Sequence, residues 1–155
     1  MNSPPASDRE YAYFSAIGVD DVAEITRILT LEPCQSWNVG EPFEINGHPM
    51  TRRSSNWQLS SGMADTEHLS SHLEALLFRL ERHRNALLEV QTKFQTRFVC
   101  VGYYYQSFSW EMSFEIQRRA TALGIGFWFD TYSLGDHHEQ MVSLREELGV
   151  RENRQ

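Results

Sequence analysis

Lysine and cysteine are almost absent from this chain, and no apolar run is long enough to cross a bilayer. The two cysteines, Cys34 and Cys100, stand far apart, one in an expected loop and one in an apolar strand, with no second pair to suggest a disulfide framework. The amino terminus carries Pro4 and Pro5 but no charged segment followed by an apolar stretch. Neither a secretory signal nor a membrane span is therefore expected, and the cytoplasm is the expected location. Positive charge is also in short supply. Lys93 is the sole lysine, and 14 Lys plus Arg face 21 Asp plus Glu, a formal charge of -7 that repels phosphate backbones and argues against a nucleic-acid partner.

Catalytic signatures are equally sparse. There is no Gly-x-Ser-x-Gly elbow, and Gly18, Gly40, Gly102, Gly124, Gly126 and Gly135 form no phosphate-cradling loop. Cys100 has apolar neighbours that raise a thiol pKa, and Cys34 has no basic residue beside it, so neither reads as a nucleophile. His68 and His72 have a helical spacing that could chelate zinc. No glutamate follows His68 and no third ligand presents itself, so a solvated helix edge is the expectation, and His137-His138 likewise reads as solvent-facing. No metal and no cofactor are expected, and the chain reads as non-enzymatic.

What is present is a core. A hydrophobic fraction of 41% and an aromatic fraction of 12% in 155 residues suffice for one compact domain, expected over 10–149, between tails at 1–9 and 150–155. Glu10 to Gly18 alternates as a strand, with Ala12, Phe14 and Ala16 on one face and Tyr11, Tyr13, Ser15 and Ile17 on the other. Asp21 and Glu24 have capping-box spacing ahead of a helix that runs to Leu31, before Pro33. Ser36 to Phe43 and Asn56 to Ser60 read as a hairpin with a long polar tip containing Asn46-Gly47, Arg52 and Arg53. A leucine stripe from Leu69 to Leu80 marks the longest helix, continuing bent or in two pieces to Thr92. Phe98 to Tyr105 is apolar on both faces, as in a central strand. Ser113 caps a helix ending at Gly124, Ile125 to Ser133 is a last strand, and Asp136 with Glu139 introduces a short terminal helix. This order predicts an α+β two-layer sandwich: a ferredoxin-like β-α-β-β-α-β core extended by α-β and a C-terminal helix, with a largely antiparallel sheet.

The strand with Phe14, Ser15 and Ile17 leading into the Asp21 helix, Gly40-Glu41, Trp57 within Asn56-Trp57-Gln58-Leu59-Ser60, and Phe129-Asp130-Thr131-Tyr132 resemble the bacterial family known as domain of unknown function 4279. The likeness spans roughly Tyr11 to Tyr132. An aliphatic residue more often stands where this chain has Thr131. The resemblance implies an α+β fold and no particular reaction.

If helices cover the face bearing Ala12, Phe14, Phe98, Phe127 and Phe129, then Tyr11, Tyr13, Tyr103, Tyr105, Trp128, Asp130 and Tyr132 share the opposite face. Exposed ring surface of that extent marks a contact site. The occupants left open are a second subunit, a ligand, or the chain's own hairpin loop or terminal helix. Trp57 and the loop residues Arg52 and Arg53 complete the candidate set. Aromatics on such a sheet invite comparison with RNA-recognition modules, but Phe98 to Tyr103 lacks their basic and glycine residues. The expectation is a module acting by protein contact or homodimerisation, one version being an immunity-type protein that blocks a cationic toxin. The alternative is a small-molecule binder or enzyme with a pocket between the sheet face and the 44–55 loop, using Asp130 and a tyrosine hydroxyl.

Overall fold

The computed structural model describes residues 7–105 and 108–134. In chain order the elements are β1 (Arg9–Gly18), α1 (Ala23–Leu29), β2 (Gln35–Trp37), β3 (Pro42–Ile45), β4 (His48–Thr51), β5 (Ser55–Ser60), α2 (Leu69–Glu81), α3 (Arg84–Val90), β6 (Gln95–Tyr104), α4 (Phe114–Ala122) and β7 (Gly126–Ser133). Five strands form one sheet in the order β2-β5-β1-β6-β7, antiparallel throughout except for the parallel pair β6 and β7. The α+β sandwich with a largely antiparallel sheet is thus the observed architecture. The expected terminal helix after Asp136 lies outside the described residues.

The alternation of β1 decides where the core lies. Ala12, Phe14 and Ala16 are buried, and across the sheet they are in register with Cys100, Phe98 and Thr96 on β6; Phe14 and Ala16 also pair with Leu59 and Trp57 on β5. Helices α1 to α4 add Ile25 and Leu29, the stripe Leu69, Leu73, Leu76, Leu77 and Leu80, then Leu87, Val90, Ile116 and Ala120 to the same cluster. Burial of these side chains, each contributing roughly 1.5–3 kcal/mol, is what holds the helical layer on the sheet. α2 packs on β1 and against α4, while α1 packs against α3.

Local departures from the sequence reading have identifiable causes. Asp21 does cap α1, its Oδ1 accepting the Ala23 N–H at 3.0 Å, but Glu24 reaches Lys93 at 3.0 Å instead of closing a box. The helix ends at Leu29 because Thr30 turns left-handed (φ 54°), before Pro33 is reached. The polar tip expected over His48 to Ser55 is partly strand. β3 and β4 form their own hairpin about Asn46 (φ 50°) and Gly47 (φ 78°), the two positive φ values that a two-residue turn matched to strand twist requires. The Glu81–Arg84 charge cluster falls at the break between α2 and α3. At the amino end β1 begins at Arg9, one residue before the expected Glu10, and Asp8 Oδ1 accepts the Tyr105 N–H at 2.9 Å.

Helix α2 lacks a cap from its own N-cap residue, His68. Glu10, from β1, takes that role: its Oε2 accepts the Leu69 N–H at 2.9 Å and its Oε1 accepts the Tyr104 hydroxyl at 2.8 Å. Tyr104 can reach it because its ring lies over Gly102, where any Cβ would collide with that ring. Glu10→Ala should lower stability by about 1–2 kcal/mol in urea denaturation, the usual cost of losing a cap together with a partly buried hydrogen bond.

Arg119 of α4 clamps Glu81 and Glu74 of α2, with Nε to Glu81 Oε1 at 2.7 Å. The guanidinium holds the Glu81 carboxyl below the usual carboxylate range. A depressed carboxyl stabilises fully above its unfolded pKa and loses that contribution as pH falls through the folded value. Glu81→Gln should therefore cost about 0.5–1 kcal/mol near neutrality and nothing in strong acid, flattening the acid limb of a stability-against-pH curve.

Candidate functional site

On the side of the sheet opposite the described helices, register places the predicted rings together. Tyr13 pairs with Val99 and Val99 with Trp128; Tyr11 pairs with Val101 and Val101 with Asp130; Tyr103 pairs with Tyr132. Tyr13, Tyr11, Tyr103 and Tyr132 form a continuous row of stacked rings, with successive centroids at 6.4, 6.5 and 4.8 Å. Val99 and Val101 are only 4% and 5% exposed, yet neither belongs to the helix-side core. Trp128, in register with Val99, stays 52% exposed.

Two arginines complete the surface. The Arg97 guanidinium carbon lies 4.6 Å from the Trp128 ring centroid, and that of Arg9 lies 4.7 Å from the Tyr103 centroid. Both distances are within cation–π range. Arg9 also meets Asp65 at 3.5 Å. Among the described residues Arg97 forms no ion pair, and its buried Nε has no hydrogen-bond acceptor. Asp130 Oδ2 accepts the Tyr132 hydroxyl at 2.8 Å.

Tyr11, Tyr13 and Tyr132 stay neutral at physiological pH. Burial, reinforced by Tyr103, pushes Tyr11 up to about 12. Burial raises Tyr13 as well, against the opposing pull of Arg97, and the hydrogen bond to Asp130 raises Tyr132. None of these three hydroxyls can then serve as a base near pH 7.

The remaining candidates lie elsewhere. Trp57 faces the helices: it is 0% exposed, packs edge-on to Phe14, and donates its Nε1–H to Thr26 Oγ1 at 3.0 Å. Register puts it opposite Ala16, on the core side, so its place in the contact set is corrected to core. Arg52 is held between the Trp37 and Phe43 rings, at 4.0 and 3.9 Å, where it fastens the β3–β4 hairpin. Arg53 is exposed beside it. Tyr105 follows the end of β6. The pocket foreseen against the 44–55 loop has a different wall. A shallow depression of about 390 Å³ on this face is bounded by Tyr11, Tyr13, Gln58, Ser61, Met63 and Asp65, near the low end of ligand-site volumes.

His72 corrects another expectation. It is fully buried rather than solvated, its Nδ1 2.6 Å from Ser61 Oγ, while His68 stays exposed. His72 Nε2 has no partner among the described residues, so the carboxylate that orients the base of a hydrolase triad is lacking there. Burial pushes the Cys100 thiol up to about 12, removing it as a nucleophile at neutral pH. Among the described residues no group of three metal-ligating side chains converges, and no helix is long and apolar enough to cross a membrane. Arg97 and Arg9 were missed by sequence reading although strand parity puts both with the rings.

These features define a two-layer α+β domain with one helix-covered and one ring-covered sheet face. The chain belongs to the family described as Domain of unknown function (DUF4279), which it matches over residues 9–134. No curated protein and no solved structure matches it.

Because Trp57 fills the core and Trp128 lies on the open face, alanine at the two positions should separate by stability. Trp57→Ala should cost about 3–5 kcal/mol in chemical denaturation and Trp128→Ala less than about 1 kcal/mol.

Proposed function

We propose that this chain is a non-enzymatic protein-contact module that associates with a second copy of itself through the ring-covered sheet face. The observation that carries this reading is the row of stacked rings Tyr13, Tyr11, Tyr103 and Tyr132 on the face opposite the described helices, where Trp128 is 52% and Tyr132 43% exposed. Contiguous apolar surface of this kind is uncommon on a monomer and typical of contact sites. Tyrosine and tryptophan also supply contact area with little loss of side-chain entropy.

Charge supports self-association over a strongly basic partner. On this face Arg9 is matched by Asp65 and Arg97 by Asp130, so its described residues carry no net charge and two such faces do not repel. An immunity-type role against a cationic toxin would have to use another surface. A second reading, binding of a small molecule, draws on the depression beside Tyr11, Tyr13 and Ser61.

Multi-angle light scattering on the wild-type chain at micromolar concentration should give twice the monomer mass of 18.1 kDa. Tyr103→Ala and Trp128→Ala should each shift that mass toward the monomer while leaving the circular dichroism spectrum unchanged. A wild-type monomer at concentrations up to 1 mM (about the limit of a specific contact) would overturn the reading.

A further inference from the structure

Arg97 and Asp130 occupy mirrored positions about one cross-strand pair. Val99 on β6 is in register with Trp128 on β7; Arg97 lies two residues before Val99, and Asp130 two residues after Trp128. Both point to the face opposite the described helices, in parallel strands, so they are displaced equally and oppositely from that pair. Their backbone positions are roughly 13 Å apart along the strand direction, four residues at about 3.3 Å each, and they form no ion pair with each other.

We infer that two copies of this chain stack these faces about a two-fold axis passing over the Val99–Trp128 pair, so that Arg97 of each copy meets Asp130 of the other. The inference rests on the self-association reading and gives it a register. A two-fold axis lying between the sheets exchanges the two ends of the Arg97–Asp130 diagonal, placing cation on carboxylate twice, as a self-complementary interface requires. Trp128, next to the axis, meets its own copy. Each charge has reason to seek a partner. Among the described residues Arg97 forms no ion pair, and Asp130 is engaged there only through Oδ2, by the Tyr132 hydroxyl. The surface is large enough: five strands about 4.8 Å apart and roughly eight residues long offer on the order of 600 Å² per copy, or about 1,200 Å² in the pair, the lower bound of a specific interface.

The test uses charge reversal with mixing. Arg97→Glu and Asp130→Lys, each alone, should weaken the wild-type dimer at least tenfold in sedimentation equilibrium, because each puts like charges together twice. Mixed in equal amounts, the two variants should form a heterodimer within about threefold of the wild-type dissociation constant, since every cross-pair is then opposite in sign; the chain carrying both changes should dimerise likewise. A misfolded variant could not be rescued in this way. If Arg97→Glu does not fold, Arg97→Gln replaces it, with the same tenfold weakening expected and an unchanged constant overturning the pairing. A wild-type monomer overturns self-association itself. A wild-type dimer that keeps its affinity in the single variants, or is not restored by mixing, overturns only the Arg97–Asp130 register.

Discussion

Among the described residues, the four helices pack on one side of a five-stranded sheet, and everything distinctive about the other side follows from that. A sheet central enough to need β6 apolar on both faces must bury two sets of side chains, but the helical layer can cover only one. Ala12, Phe14 and Ala16 go under the helices. Val99 and Val101 lie on the other face, where β1, β6 and β7 project tyrosine and tryptophan. Aromatic rings suit this because they lie flat over a neighbour while a hydroxyl or indole edge stays wet.

The same division explains what could be read from the sequence. Period-two alternation in β1, β6 and β7 separates the faces without knowledge of strand order, so Tyr11, Tyr13, Tyr103, Trp128, Asp130 and Tyr132 were legible as one surface. Trp57 was not, because its face depends on pairing with Ala16, and register between strands forty residues apart leaves no local mark. Arg97 was legible in principle, by parity with Tyr103, but a search for ring surface passes over a guanidinium. The β3–β4 hairpin shows the limit of a turn signal. Asn46-Gly47 marks the turn correctly, while the separation of its strands into a second sheet depends on where β2 pairs with β5.

Long-range polar contacts were the least legible layer. Glu10 caps a helix 59 positions away, and Ser61 engages His72 across a turn into the core. Neither carries a spacing signature, since a capping box is recognisable only when cap and helix are contiguous. In both cases the polar partner substitutes for something the local sequence withholds: a capping side chain at His68 in the first, water around a buried imidazole in the second. Buried polar groups must be paired wherever the partner can be found, and tertiary structure widens the choice of partners beyond sequence neighbours.

A face built from neutral phenols with a few fixed charges has a particular consequence for association. Burial and the Asp130 hydrogen bond hold Tyr11, Tyr13 and Tyr132 protonated well above neutrality, so these three hydroxyls add no charge to the surface across the physiological range. Apolar ring area supplies non-directional attraction, which by itself would accept many registers of one sheet upon another. Only the arginines and Asp130 can discriminate between registers, because a like-charge juxtaposition costs far more than a sliding ring contact. The sparse charges therefore matter out of proportion to their number. Rings determine that the face is adhesive, and the Arg97–Asp130 diagonal determines which adhesive arrangement is unopposed.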